Sequence, residues 1–185
     1  MKDYFCGSFI QMRWNGFMGE STAESAMEKE SFMELLVPES SKDLEDVKEL
    51  FLRYEKSTGV SLCFQGFQEE LDHLPGKYRE PEGVLLLLKI GRKACGCCAL
   101  KPLEEKICEL KRLFVLEEHR GRGLSKVLME RILSEARERG YEKIRLDTLD
   151  AMKPAIGLYR SVGFEEISAY IYNPLPGALY FEKVL

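Results

Sequence analysis

Histidine and tryptophan are scarce in this 185-residue chain: two of the first, His73 and His119, and one of the second, Trp14. A histidine-rich metal centre therefore has too few ligands. Long hydrophobic runs are missing too. The longest, Val84 to Leu88, falls far short of the roughly 20 apolar residues of a membrane span, so no membrane partner is expected. An excess of positive charge is also lacking. With 27 basic and 31 acidic residues the net charge is −4, which argues against a general nucleic-acid binder. No internal repeat and no low-complexity tract is found. At the N-terminus, Lys2 and Asp3 are followed only by the short FCGSFI patch, too little for a secretory signal. The six cysteines are accordingly expected as reduced thiols, and the chain as cytoplasmic.

What is present describes a globular protein. Hydrophobic residues make up 45% and charged residues 31%, and the length suits one domain with a full core. Residues 1–31 differ from the rest, with scattered aromatics and no sustained period; STAESAMEKE has the Ser21/Glu24 spacing of a capping box. They are expected to form a mobile or weakly packed, dispensable extension, with the domain spanning 32–185.

Phe32 to Val37 predicts a strand stopped by Pro38. Ser41 is the expected cap of a helix carrying Leu44, Val47, Phe51 and Tyr54 at helical spacing, closed by Gly59. A second helix is predicted from Gln65 to His73, before Pro75 and Gly76. GVLLLLKI and KACGCCAL read as a hairpin, and ICELKRLFVL as the next strand. A long helix follows from Leu124 to Arg139, with Leu124, Val127, Leu128, Ile132 and Ala136 as its buried stripe. KIRLDTL reads as a strand and AIGLYRSV as a short helix. FEEISAYIY and ALYFEKVL are the final strands.

The informative stretch is ELKRLFVLEEHRGRGLSKVLMERILSEARER, Glu109 to Arg139. A strand runs into a loop with two glycines and three cations, and a helix begins behind it. Gly121 and Gly123 let backbone come close to a ligand. The first N–H groups of the helix have no intrahelical acceptor and suit an anion. Arg120, Arg122 and Lys126 add positive charge with no acid among them. The loop is no dinucleotide fingerprint, because Lys126 stands where the third glycine is needed. LDHLPGKY is no Walker A loop, because Leu71 and Tyr78 occupy the first glycine and the Ser/Thr positions.

The run LKRLFVLEEHRGRGLSKVLM, followed by LYRSVGF, resembles the GNAT family of N-acetyltransferases. Arg120 and Gly123 fall on the acetyl-CoA motif, with Ser125 at its last position. The order of elements from Met33 onward is similar as well. There are two departures: Ser125 replaces a small Gly or Ala, and Met152 stands where many relatives carry an Asn that contacts the cofactor. The resemblance implies an α/β (α+β) fold with a mixed, twisted and splayed central sheet of about six to seven strands and about four flanking helices. It implies acetyl-CoA as acyl donor, no metal, and a small-molecule or peptide amine as acceptor. A homodimer is one assembly such a chain could form. The pantetheine arm would enter between ICELKRLFVL and KIRLDTL and pair with Leu113, Phe114 and Val115. The pyrophosphate would meet the N–H groups of Gly121, Arg122, Gly123, Leu124, Ser125 and Lys126.

Acetyl transfer requires a neutral amine, a polarised thioester and a protonated leaving group. Glu109 and Asp147, one on each parted strand, are the candidate bases. A Val115 N–H could serve the developing oxyanion. Tyr159, in the LYRSVGF motif, stands where relatives place the general acid, and it is expected beside the cofactor as well. Other readings remain open. Glu109 could be a solvated edge residue, Asp147 a structural hydrogen-bonding group, and Tyr159 a core residue. Phe64, Phe67, Tyr78, Tyr170 and Tyr172 either wall an acceptor site or pack in the core. Cys95 and Cys98 form a C-x-x-C that reads as small apolar packing, against a zinc or redox module. A non-catalytic acyl-CoA-binding module is the alternative to an enzyme.

Overall fold

A computed structural model describes residues 10–12 and 32–185 of the chain. The helix anticipated in STAESAMEKE lies outside the described residues. One mixed sheet forms the centre. Its strands are β1 (Ile10–Met12), β2 (Met33–Leu36), β3 (Val84–Ile90), β4 (Lys93–Glu104), β5 (Ile107–Val115), β6 (Lys143–Leu149), β7 (Glu165–Ile167) and β8 (Ala178–Val184). Their spatial order is β1-β2-β3-β4-β5-β6-β8-β7, and the sheet is open. Seven strands thus lie from Met33 onward, flanked by four helices: α1 (Ser41–Thr58), α2 (Phe67–Asp72), α3 (Leu124–Glu138) and α4 (Lys153–Ser161). This is the splayed, mixed sheet anticipated above.

Alternation along the central strands makes two cores. Leu86 and Leu88 face α3 and α4, with Cys98, Leu100, Leu128, Ile132 and Phe181. Leu85 and Leu87 face α1 and α2, with Val47, Phe51, Phe67 and Tyr78. A strand covered on both sides reads as an unbroken apolar run, which is why Val84–Leu88 shows no polar alternation. The stripe of α3 is as anticipated, except that Val127 is only partly buried while Met129 and Leu133 are buried. The cap of α1 is Ser40, one residue earlier than the pattern suggested. Its backbone is extended, and its hydroxyl accepts from the Asp43 N–H at 3.1 Å.

The feature that shapes the site is a break in one ladder. β5 and β6 are the parallel pair, and they align only at Ile107, Cys108 and Glu109 with Lys143, Ile144 and Arg145. Beyond Glu109 they part. On its other edge β5 carries a bulge: Cys97 pairs with Phe114 but Ala99 pairs with Lys111, so Arg112 and Leu113 together oppose Cys98. Such a bulge bends its strand and adds twist. Arg112 takes φ 58°, an unfavourable region for a side chain with a Cβ.

Buried contacts over-determine that conformation. Arg112 forks onto Glu70 of α2, Nε to Oε1 at 2.8 Å and Nη2 to Oε2 at 3.0 Å, and reaches Gln65 at 3.0 Å. Its guanidinium lies 5.0 Å from the Phe67 ring centre and 5.8 Å from that of Tyr54. Glu70 also accepts from the Tyr78 hydroxyl at 2.8 Å and meets Lys77 at 2.7 Å. Phe67 and Tyr78, two of the five aromatics weighed above, are therefore core and clamp residues.

The anticipated strand Phe164–Tyr172 stops at Ile167. The chain beyond it leaves the sheet because Tyr170 turns to Glu109 and Asn173 to Asp147, each at 2.9 Å.

The clamp generates a prediction. Burial raises the Glu70 pKa, but Arg112 and Lys77 outweigh it and hold the carboxyl down to about 2, from 4.5. A depressed carboxylate stabilises the fold fully above its unfolded pKa, and that contribution is lost as pH falls through the folded pKa. Of the stability that denaturant titrations lose between about pH 5 and pH 2, Glu70 should therefore account for roughly 3 kcal/mol, read as the part missing in Glu70→Gln. Glu70→Ala should cost about 3–5 kcal/mol at neutral pH, since it strands a buried guanidinium.

Candidate active site

The parted strands open a groove of about 500 Å³ that continues to the start of α3. Leu113, Phe114 and Val115 form one wall; Arg120, Gly121, Gly123, Leu124, Ser125 and Lys126 form its end. Ala151, Met152, Pro154, Ala155 and Leu158 close the opposite side. Of the residues anticipated at a cofactor, these nine meet in one place. Arg122 is not among the lining residues; its guanidinium lies 3.3 Å from His119 Nδ1.

The loop before α3 is built to leave amides free. Gly121 and Gly123 have φ of 75° and 76°, and a Cβ at either would meet nothing within 4 Å. The left-handed backbone, rather than crowding, is what calls for glycine here. Gly123 caps α3 without a side-chain hydrogen bond, and its carbonyl accepts from Lys126 at 3.0 Å and Val127 at 3.2 Å. Lys126 thus uses its own N–H within the helix. Among the described residues, the amides of Gly121, Gly123, Leu124 and Ser125 meet no protein acceptor. They form a small anion-binding concavity at the positive end of the helix dipole. Arg120 turns back, its Nε donating to the Val115 carbonyl at 3.2 Å and its guanidinium 5.9 Å from the Phe114 ring centre. It ties the loop to the end of β5. Lys126 is exposed and lies 3.8 Å from Glu130.

Backbone direction along β5 suits an inserted amide. Leu116 donates to the Cys95 carbonyl at 2.9 Å. Alternation in an antiparallel pair then turns the Val115 N–H away from β4, toward the side where β6 has departed.

A second cavity lies deeper between the strands. Tyr54, Leu113 and Met152 border both spaces and mark their junction. Tyr159 of α4 lines this second cavity, with its ring 5.9 Å from Phe164 and 6.1 Å from Phe181. Its hydroxyl has no hydrogen-bond partner among the described residues. Burial pushes its pKa up, with the neighbouring Tyr54 and Asp147 adding to the shift. It is a neutral phenol, and so a proton donor, at every physiological pH.

The two carboxylates differ in placement. Glu109 is fully buried: Tyr170 donates to Oε1 at 2.9 Å, Lys101 lies 2.7 Å from Oε2, and Lys111 lies 3.6 Å away. It lines neither cavity. Asp147 lines the deeper one. Burial raises its pKa, but Lys111 at 2.9 Å and the Asn173 amide at 2.9 Å outweigh this and hold it below the usual range.

Tyr54, Lys111 and Asn173 were not singled out from the sequence. Tyr54 sat in the apolar stripe of α1, Lys111 in an apparently ordinary strand, and Asn173 in a turn. Lys111 pairs regularly with Ala99 just before the bulge, and its ammonium reaches Asp147 of β6 at 2.9 Å. Phe64 packs against the α1–α2 core and Tyr172 is 84% exposed, so neither lines either cavity.

The cysteines lie elsewhere. A shift of register near Cys95 places Cys95 and Cys98 in one core and Cys97 in the other. Among the described residues, no group of three or more His, Cys, Asp or Glu side chains could hold a metal ion.

Similarity to known proteins bears on this geometry. Residues 44–164 match the family model described as Acetyltransferase (GNAT) family. An uncharacterized N-acetyltransferase of Schizosaccharomyces pombe is 36% identical over 156 residues, covering 83% of this chain and 96% of the relative. Another, of Dictyostelium discoideum, is 28% identical over 213 residues, covering 82% of this chain and 99% of the relative. An acetyltransferase of Streptococcus agalactiae superposes with TM-score 0.71 at 22% identity, covering 83% of this chain and 98% of its own. That last likeness is one of fold.

Thiol chemistry gives the prediction here. Burial pushes the Cys95 thiol up to about 11 and that of Cys108 up to about 12, and raises Cys97 and Cys98 as well, whereas Cys63 is exposed. Peptide mapping after brief maleimide treatment of native protein at about pH 7.5 should find Cys63 labelled and these four protected until denaturant is added.

Proposed function

The chain belongs to the GNAT acetyltransferase family and is an acyltransferase; from that premise we propose that it moves the acetyl group of acetyl-CoA to a primary amine of a small molecule or peptide by direct attack. One observation carries this reading. Free amides at the start of α3 open on a groove that meets, at Leu113 and Met152, the cavity holding the unpartnered Tyr159 phenol.

The residues present fit such a donor. The amides of Gly121, Gly123, Leu124 and Ser125 would hold its diphosphate, in the field of Arg120, Arg122 and Lys126. The backbone of Leu113 to Val115, which β6 leaves without a partner strand, would receive the pantetheine amides. When bound, the donor supplies a thioester carbonyl open to attack by nitrogen. The Val115 N–H polarises that oxygen, a contact worth about 3 kcal/mol in other enzymes. Tyr159 donates its phenolic proton to the departing sulfur. Met152, standing where relatives place Asn, contributes an apolar thioether at the junction, its Sδ 3.6 Å from the Thr148 hydroxyl. Glu109, enclosed by two ammonium groups and a phenol, acts as a fixed counter-ion. Asp147 is the carboxylate that meets the acceptor cavity.

Residues 32–185 carry this activity. The five described cysteines are unpaired thiols, which supports a reducing, cytoplasmic setting.

Thiol release from acetyl-CoA against an amine library tests the proposal; tight binding with no release for any amine would overturn it. Tyr159→Phe should lower kcat by about 10²–10⁴ with the acetyl-CoA dissociation constant unchanged. Gly123→Val, which forces a β-branched residue into the left-handed region, should instead weaken acetyl-CoA binding by about tenfold or more, read by calorimetry.

A further inference from the structure

Which amines the acceptor cavity admits follows, on the transferase reading above, from the charges in front of Tyr159. Lys111 lines that cavity with its side chain 8% exposed. Its Nζ spans the parted strands, 2.9 Å from Asp147 Oδ1 and 3.6 Å from Glu109 Oε1. Burial lowers its pKa, but the two carboxylates outweigh that and hold it above the usual value. Lys111 is therefore an ammonium at neutral pH and no base.

The other groups around this pair leave it no slack. Asp147 has its second oxygen on the Asn173 amide. Glu109 is held by Lys101 from β4 and by Tyr170. Arg112, next along β5, is committed to Glu70. The phenols facing the pair are Tyr54 from α1, Tyr159 from α4, Tyr170 from the segment after β7 and Tyr180 from β8, all with raised pKa and all neutral. Among the described residues, Asp147 is the only carboxylate lining the cavity.

We propose that Lys111 makes this cavity selective for weakly basic primary amines, of the α-amino class found at peptide termini and in amino-acid amides, which enter uncharged. An alkylammonium would bring a like charge beside Lys111 in a poorly solvated space, toward a carboxylate whose oxygens are both engaged. A neutral amine meets no such penalty. At pH 7 about one α-amino group in ten is neutral, against about one alkylamine in two thousand. In the transfer itself the neutral nitrogen forms the C–N bond as the C–S bond breaks. The sulfur takes the Tyr159 proton, and the proton lost by nitrogen returns to the phenolate through solvent.

The test compares kcat/KM for glycinamide and alaninamide with n-propylamine and ethanolamine, at saturating acetyl-CoA and about pH 7. The amides should be at least about 30-fold better, and the alkylamines should gain about tenfold per pH unit up to about pH 9. Alkylamines equal to or better than the amides at pH 7 would overturn the selectivity and leave the transferase reading standing. No turnover of any amine, with acetyl-CoA still bound, would remove both. Lys111→Met, or Lys111→Gln should methionine prove unstable, should narrow the amide-to-alkylamine ratio at least about tenfold. An unchanged ratio in a folded variant would take the role away from Lys111.

Discussion

Parallel strands β5 and β6 share three residue pairs and then diverge. Both cavities described above lie in or beside that divergence. A sheet cannot leave backbone donors and acceptors unpaired in its interior without cost, so an opened ladder needs both a cause and an occupant. The cause is the bulge at Arg112, whose extra residue bends β5 away. The bulge in turn is fixed from outside the sheet, by the buried fork of Arg112 on Glu70. A short helix, α2, thereby sets the shape of a groove on the far side of the strand.

The same opening concentrates charge. Lys101, Glu109, Lys111 and Asp147 form a run of ion pairs from β4 across β5 to β6 where the strands begin to part. Paired ions in a low-dielectric interior hold their geometry strictly, because separating any two of them is costly. The pairing also explains why two carboxylates in the right neighbourhood differ chemically. Tyr170 and Lys101 seal Glu109 away from both cavities, whereas Asp147 presents an edge to the deeper one. Tyr170 and Asn173 belong to the segment after β7, so the chain that leaves the sheet is pinned to the two strands it crosses.

Much of the fold was legible in the sequence because its signals are local. The unbroken apolar run of β3, the stripe of α3 and the glycines of the loop each act within a few residues. The loop of Gly121 and Gly123 and the phenol of Tyr159 could be named because each sits in a short continuous motif of its own, RGRGLS and LYRSVGF. The bulge could not. Nothing in ICELKRLFVL marks Arg112 as left-handed, since the conformation is imposed by Glu70, 42 residues earlier. Lys111 looked like an ordinary strand residue because its partner, Asp147, lies 36 residues later on another strand. Tyr54 read as a core position because helical period reports which face is covered, not whether a cavity interrupts the cover. Tyr170 and Asn173 read as strand and turn because their partners, Glu109 and Asp147, are remote in sequence.

The central claim is that free amides at the start of α3 and the turned-out amide of Val115 receive the acyl donor. Backbone amide NMR during titration with acetyl-CoA tests it most directly. The account predicts the largest shift changes at Gly121, Gly123, Leu124, Ser125 and Val115, with little change along β2 and β3. Saturable binding that leaves those five amides unmoved would contradict it.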